Sequence, residues 1–323
     1  MKPTIRIKTI KDKNSSQSFF GGLPKLPRDF EWPFWDATSL YLDEIKYAEK
    51  IGRECGTEAY WGREIEKIKI KLQEPLVPLV FLGQIYLEEV PRYGGFPNLP
   101  SSGILCFFWD LVNWPAGWRA SSKGSCRVIY LEDISNLQPL SFPEEMADKF
   151  RNMVDINYSI SCCLSFEPGW VSSRYLETRL EIEEGADDSE YLMPSPFLEE
   201  HLEDTPNDFP ERNELTVLVK DHSSQGEPVH LLFGSPMEIQ NPMEEMCQLC
   251  FHGFDHLQCD IDADPEVAFL RDGVQDWQLL LQLDCDKHLD WEWGDAGMLY
   301  FWIRKQDLEK QDFSNVWCEM QCS

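Results

Sequence analysis

The chain has 323 residues, of which 57 are acidic and 29 are basic, so its formal net charge is −28. Apolar residues make up 42 % of the sequence and aromatic residues 13 %, which is enough to build a core and excludes a wholly disordered chain. A surface this negative repels phosphates and anionic lipid headgroups, so we expect neither nucleic acid nor a membrane as partner. A basic protein partner would instead be attracted.

Cysteine usage and hydropathy predict the compartment. The 11 cysteines are odd in number, and several, such as Cys106 and Cys285, lie inside apolar runs, which is typical of buried free thiols. No apolar run approaches the length that spans a bilayer, and the first residues lack the apolar stretch of a signal peptide. We therefore expect a cytoplasmic protein with reduced thiols.

The first third of the chain mixes a fixed loop with a helical segment. Residues 19–33 are rich in Gly and Pro and read as an ordered loop, with Trp32 among its buried anchors. Residues 38–73 carry apolar side chains at helical spacing among charges, which predicts two amphipathic helices broken near residues 52–56.

Strands follow, at Val77–Leu87, Ile104–Trp109 and Arg127–Leu131, each a short apolar run rich in β-forming residues. The loop between the second and third of them holds Trp114 and Trp118. These two indoles either stack a ligand or plug the end of a sheet.

The second half begins after an acidic stretch. Residues 143–153 look helical, and residues 177–214 are densely acidic and read as a linker or interaction loop. Strands are predicted at 277–283, 298–304 and 315–319. A turn over residues 291–297 presents Trp293 and Asp295 before the second of these strands.

Four landmarks occur in the same order in both halves, which indicates an internal duplication. The pairs are Phe20-Gly21-Gly22-Leu23-Pro24 with Phe233-Gly234-Ser235-Pro236, Phe81-Leu82-Gly83-Gln84-Ile85 with Leu280-Leu281-Gln282-Leu283, the run from Gly103 with the run from Gly297, and Val128-Ile129-Tyr130 with Val316-Trp317-Cys318. We expect an N-terminal half at 1–176, an acidic linker at 177–214 and a C-terminal half at 215–323, with the halves packed as one compact unit.

Gln84 and Gln282 stand at matching places in this repeat, each inside an apolar strand. An unpaired buried amide is costly, so each needs hydrogen-bond partners. One interpretation is that each binds the backbone of its Gly-Pro loop and holds the unit together. The other is that both line a cleft shared by the two halves.

A compact group of metal-ligand residue types lies at Cys247, Cys250, His252, His256 and Cys259. Thiolates and imidazoles at such gaps bind zinc, although a structural site usually pairs two knuckles across a loop. The alternative is core thiols beside surface histidines. Residues 260–271 begin like a calcium loop, but the sixth position is Pro265 and the twelfth is Arg271. We expect no cofactor.

Several short segments together resemble the YwqG-like family, a bacterial family of unknown function. They are Phe20-Gly21-Gly22-Leu23-Pro24, Glu31-Trp32-Pro33, Leu82-Gly83-Gln84-Ile85, Trp293-Gly294-Asp295-Ala296-Gly297 and Asp312-Phe313-Ser314-Asn315-Val316. The resemblance implies a mixed, sheet-rich α+β fold and a cytoplasmic protein. Some members lie beside toxin genes, which implies an immunity role, and the family offers no catalytic residues to carry over. The helical insertion at about 36–74 departs from the family pattern.

Three functions follow as hypotheses. The first is a non-catalytic, acidic protein-binding protein of immunity or inhibitor type, which docks a basic partner through residues 181–204 and the inserted helices. The second is a small-molecule-binding protein or hydrolase with a cleft between the halves. The third is a zinc protein through residues 247–259. The candidate binding residues are Trp32, Gln84, Trp114, Trp118, Gln282, Trp293 and Asp295.

Overall fold

The structure is a computed structural model that describes residues 2–11, 16–92, 97–142, 160–171, 228–255 and 265–322. The helix predicted at 143–153 and the acidic segment at 177–214 lie outside these ranges, as do His256 and Cys259.

The first part of the described chain alternates short strands with one pair of helices. Its elements are β1 (Lys2–Ile10), β2 (Phe19–Gly21), β3 (Lys25–Leu26), β4 (Phe34–Asp36), α1 (Thr38–Cys55), α2 (Glu58–Lys71), β5 (Leu76–Pro78), β6 (Val80–Tyr86), β7 (Ile104–Trp109), β8 (Cys126–Leu131), β9 (Gln138–Pro139) and β10 (Ser161–Val171).

The second part of the described chain has fewer elements. Its elements are β11 (His230–Leu232), α3 (Glu244–Phe251), α4 (Pro265–Leu270), β12 (Trp277–Asp284), β13 (Met298–Arg304), α5 (Lys305–Glu309) and β14 (Trp317–Gln321). Short 3-10 turns at Ala120–Ser122 and Arg271–Asp276 join some of these elements.

One antiparallel sheet organises the fold. Among the described residues it contains ten strands, in the order β14-β13-β12-β11-β1-β10-β2-β6-β7-β8. The remaining strands form two small pairs, β3 with β9 and β4 with β5. The prediction of a sheet-rich α+β fold is therefore confirmed.

The duplication is visible in the pairing register of the strands. In β6 a bulge lies between Phe81 and Gly83. The next residue, Gln84, stands opposite Cys106. In β12 the bulge lies between Leu279 and Leu281, and Gln282 stands opposite Tyr300. A bulge is a specific local feature of a strand. Its recurrence at the same place therefore shows that the two halves have the same strand arrangement.

The last strands correspond differently from the sequence match. Val128 pairs with Phe107, and Cys318 pairs with Phe301, so Val128 and Cys318 are the equivalent residues. The sequence pattern instead aligns Val128 with Val316, which lies two positions before Cys318. Strand side chains repeat every two residues, so a shift of two keeps the same face inward and leaves the apolar pattern unchanged.

The centre of the sheet is formed by strands that lie far apart in the chain. β1 pairs with β11 on one side and with β10 on the other, and β10 continues to β2. The N-terminal strand therefore lies beside the strands of the second half. The long antiparallel pairing of β1 with β10 joins the two repeated groups of strands into one sheet.

The helical insertion is confirmed, since α1 and α2 occupy most of residues 36–74. Gly56, in the left-handed region at φ 63°, ends α1. No residue of α2 is fully buried. Asn113 attaches the pair to the sheet, because its Oδ1 accepts hydrogen bonds from Tyr41 and from Lys71, each at 3.2 Å.

The sheet curls so that its edge strands approach each other. The Cys126 thiol at the start of β8 donates to the Val316 carbonyl just before β14, at 3.4 Å. The backbone N–H of Met320 donates to the Ala116 carbonyl at 3.0 Å. One apolar core therefore runs through both halves. None of the helices in the described ranges is long and apolar enough to cross a membrane.

Candidate functional site

The two strand glutamines hold the Gly-Pro loops. Gln84 Oε1 accepts the backbone N–H of Lys25 at 2.8 Å, and Gln282 Oε1 accepts that of Met237 at the same distance. Each of these N–H groups directly follows the proline of its loop. Gln282 also donates through Nε2 to the Val229 carbonyl at 2.9 Å. Both side chains are fully buried, so this geometry matches the interpretation in which each glutamine holds its own unit together.

A second polar arrangement, in which one side chain binds a backbone N–H and a carboxylate, also recurs in both halves. In the first half Ser18 Oγ accepts the backbone N–H of Tyr86 at 2.8 Å and donates to Glu89 at 2.6 Å. In the second half His230 Nδ1 accepts the N–H of Asp284 at 3.1 Å, and its Nε2 faces an Asp286 oxygen at 3.2 Å. A carboxylate beyond the strand thus anchors Ser18, just before β2, in the first half and His230, the first residue of β11, in the second half.

The Asp286 carboxylate has further partners. Thr9 Oγ1 donates to it at 2.7 Å, and so does the backbone N–H of His288, also at 2.7 Å. Burial opposes its ionisation, but the hydrogen bonds from His230 and Thr9 together hold the pKa of Asp286 below its usual range. The cluster ties β1 to the turn after β12, and the carboxylate is fully engaged in structural hydrogen bonds.

Trp32 lies in a separate part of the core from the other candidates. Its indole Nε1 donates to the Leu79 carbonyl at 2.8 Å. Its ring packs edge-on against Phe108 and Phe142, with centroids 5.7 and 5.1 Å away. The side chain is buried and its polar atom is satisfied.

Trp114 and Trp293 are brought together by the fold. Their ring centroids are 6.1 Å apart, and both rings contact Trp109. Trp293 is buried and donates from Nε1 to the Asp284 carbonyl at 3.0 Å. Trp114, in contrast, is 38 % exposed. The junction between the halves is therefore filled by indoles, with Trp114 at the surface.

Trp118 and Asp295 occupy different surroundings. Trp118 is partly buried, and the Arg119 guanidinium lies 4.3 Å from its ring centroid. Asp295 is exposed on the turn that contains Trp293. Among the candidate residues, Trp114 and Trp293 are in contact, and Asp295 lies two residues after Trp293 in the same turn.

The cysteines of the candidate metal group face inward from α3. Cys247 and Cys250 are fully buried, and burial holds the pKa of the Cys247 thiol well above its usual range. His252 is exposed at the end of that helix. Among the residues that the structure describes, no three His, Cys, Asp or Glu side chains are grouped so that they could hold a metal ion.

An open groove of about 920 Å³ lies beside α3, and no sequence pattern points to it directly. Its lining residues are Pro242, Glu244, Glu245, Arg271, Asp272, Val274, Gln275 and Trp277. Arg271 Nε donates to Glu245 Oε1 at 2.5 Å. The only cation among these lining residues is therefore already paired with a carboxylate. We refer to this feature as the acidic groove. Only the charged first turn of α3, Glu244-Glu245, could have pointed to it.

The fold and these contacts define a sheet-rich, internally duplicated α+β protein whose repeated polar residues hold its loops. The chain belongs to the family described as Domain of unknown function (DUF1963), whose model matches residues 18–322. That is the YwqG-like family, so the resemblance seen in the sequence is confirmed. No curated protein matches the sequence.

Proposed function

We propose that this protein is a non-catalytic binding protein of inhibitor or immunity type that docks a basic protein partner through the acidic groove. The acidic groove is the observation that carries the proposal. Within the described part of the chain, Glu244 and Asp272 face the groove and form no ion pair, whereas Glu245 pairs with Arg271. Its open form suits a protein segment better than a small molecule, which is usually bound in an enclosed site.

The charge of the whole chain supports the same partner. A net charge of −28 raises the local concentration of cationic surfaces and speeds their encounter. The polar residues that recur in both halves are engaged in holding loops, so they offer no catalytic group. A hydrolase with a cleft between the halves has less support, because indole and phenyl rings fill that junction.

Affinity capture from native lysate tests the proposal. The bait is the full chain, compared with a variant carrying Glu244→Lys and Asp272→Lys. We expect the wild-type chain to retain a basic protein at low ionic strength and to release it at high ionic strength, because salt screens exposed charges. The groove variant should lose that protein.

A matched control makes the same change in net charge at two positions that do not line the groove. Glu31→Lys with Glu132→Lys replaces two exposed carboxylates of the first half. We expect this control to retain the partner with only a modest loss. Equal loss in both variants, or capture that is insensitive to salt, would contradict docking in the acidic groove.

A further inference from the structure

We propose that Arg6, with Lys8 beside it, forms a binding site for a small oxyanion, either a carboxylate or a phosphate. The site lies on β1, the strand that joins the two repeated groups of strands. It is separate from the acidic groove and does not rest on the proposed function, because its ligand carries the opposite charge.

Arg6 is a buried cation whose charge no described residue neutralises. It is 8 % exposed, and its Nε is buried without a hydrogen-bond partner. Within the described ranges, the rest of its guanidinium also forms no hydrogen bond or ion pair. A guanidinium remains charged in proteins, and an unpaired buried charge lowers stability. An anion bound beside Arg6 would remove that destabilisation.

Strand geometry directs Arg6 and Lys8 to the same face of the sheet. Ile5 and Ile7 lie in the main core, and successive side chains of a strand point to opposite faces. Arg6 and Lys8 therefore both point away from that core, with Cα atoms about 7 Å apart, as for any residues two apart on a strand. Two long cationic side chains at this spacing can contact one oxyanion.

Glu167 does not supply the missing anion. It stands opposite Arg6 in the pairing of β1 with β10, but its Oε1 accepts a hydrogen bond from Lys8 Nζ at 2.7 Å. The Lys8 and Glu167 side chains are 42 % and 49 % exposed, so this end of the site is open to solvent. A ligand can approach Arg6 from there, and Glu167 competes with it for Lys8.

The internal repeat shows that the scaffold does not require this charge. Arg6 stands opposite Leu231, which in turn stands opposite Gln282. In the first half, Cys163 is connected to Gln84 in the same way through one residue of β2. Because the two glutamines are equivalent, Arg6 and Cys163 are equivalent as well. A buried thiol fills the matching place in the first half, so the guanidinium is an addition to the repeated framework.

The first test compares the stability of the full chain with that of Arg6→Met, which keeps an unbranched side chain and removes the charge. In buffer without an oxyanion, we expect Arg6→Met to unfold at a higher urea concentration than the wild-type chain, because it removes an unpaired buried charge. Adding inorganic phosphate or acetate should then raise the midpoint of the wild-type chain more than that of Arg6→Met, since a ligand that binds only the folded state stabilises it.

Direct binding is followed by NMR on the full chain with isotope-labelled arginine. The Arg6 signal is the Nε–H resonance that is absent in Arg6→Met. We expect it to shift saturably with phosphate or with acetate, and the two titrations separate a phosphate ligand from a carboxylate ligand. Sodium chloride at the same ionic strength should not reproduce the shift.

Two further variants change the neighbours of Arg6. Lys8→Gln should weaken binding about threefold, and Glu167→Gln should strengthen it by about the same factor, because both charges are partly exposed and therefore screened. Lys310→Gln removes an exposed lysine of the second half and should leave the affinity unchanged.

Two results would overturn the proposal. One is an Arg6→Met variant that is less stable than the wild-type chain in oxyanion-free buffer, since Arg6 would then already have its counter-charge within the chain. The other is an Arg6 signal that responds to neither oxyanion, or that responds equally to chloride.

Discussion

Phe107 and Phe301 occupy equivalent positions in the two halves and pack against each other, with ring centroids 5.4 Å apart and planes at 73°. Phe107 stands opposite Gly83 and Phe301 opposite Leu281, the residue that follows the bulge in each case. Each of these phenylalanines therefore contacts its own counterpart in the other half. The core is therefore shared at this pair, and neither half completes it alone.

This pair should be strongly coupled in stability. We expect Phe107→Ala and Phe301→Ala each to lower the free energy of unfolding by about 3–5 kcal/mol, since each removes a fully buried ring. The double variant should lose about 1 kcal/mol less than the sum, because the ring contact is lost only once. Urea unfolding of the four proteins measures this coupling, and strictly additive losses would show that the two rings do not interact.

The strand glutamines give a second prediction. Gln282→Leu should lower the free energy of unfolding by about 2–4 kcal/mol, because it leaves the Met237 N–H and the Val229 carbonyl buried without their partner. Gln84→Leu should cost about 1–2 kcal/mol, since the Lys25 N–H that it frees is only partly buried. Thermal unfolding in parallel gives the ranking. A larger loss for Gln84→Leu would contradict this account.

Local patterns predicted the elements whose signals are contiguous in the sequence. The strand Met298–Arg304 was predicted with its observed bounds, because an apolar run begins directly after Gly297. The helical insertion was predicted from its apolar spacing. The register of β14 could not be predicted in the same way, because a two-residue shift leaves the inward face unchanged.

Long-range arrangements could not be predicted from the sequence. The contact of Phe107 with Phe301 joins residues far apart in the chain, and the pairing of β1 with β11 places an N-terminal strand in the second half's group. The acidic groove draws its lining from separate segments around α3 and α4, so no single motif encodes it. Residue type makes Trp114 and Trp293 candidates, but their contact depends on tertiary packing.

Glu319 should make stability depend on pH in the neutral range. Burial raises the pKa of Glu319 to about 8. A hydrogen bond from Gln321 lowers this pKa, whereas the negative charges of Glu244 and Glu238 raise it further. The folded state retains a proton that the unfolded state releases near pH 4.5. The contribution of Glu319 to the free energy of unfolding is therefore fully present below that pH and is lost as pH rises toward 8. The loss should be on the order of 5 kcal/mol.

Substitution by glutamine tests that assignment. Glu319→Gln keeps an acceptor for Gln321 and removes the titration, so its free energy of unfolding should be nearly flat from pH 5 to about 8. Glu309→Gln, on an exposed position of α5, should retain the wild-type slope. Denaturant unfolding at several pH values provides the comparison. An unchanged slope in Glu319→Gln would assign the pH dependence to other groups.

Asp286 should act in the opposite direction, in acid. Burial resists its ionisation, yet hydrogen bonds from His230 and Thr9 lower its pKa below the usual 3.8. The folded state therefore stays ionised where the unfolded state takes up a proton, so the contribution is present above about pH 4 and is lost as pH falls below it.

Asp286→Asn should be less stable at neutral pH, because its amide nitrogen cannot accept the bonds that the carboxylate does. It should also lose less further stability between pH 4 and about 2 than the wild-type chain. Acid titrations followed by tryptophan fluorescence measure both effects, and parallel acid transitions in the two proteins would show that this carboxylate does not control acid stability.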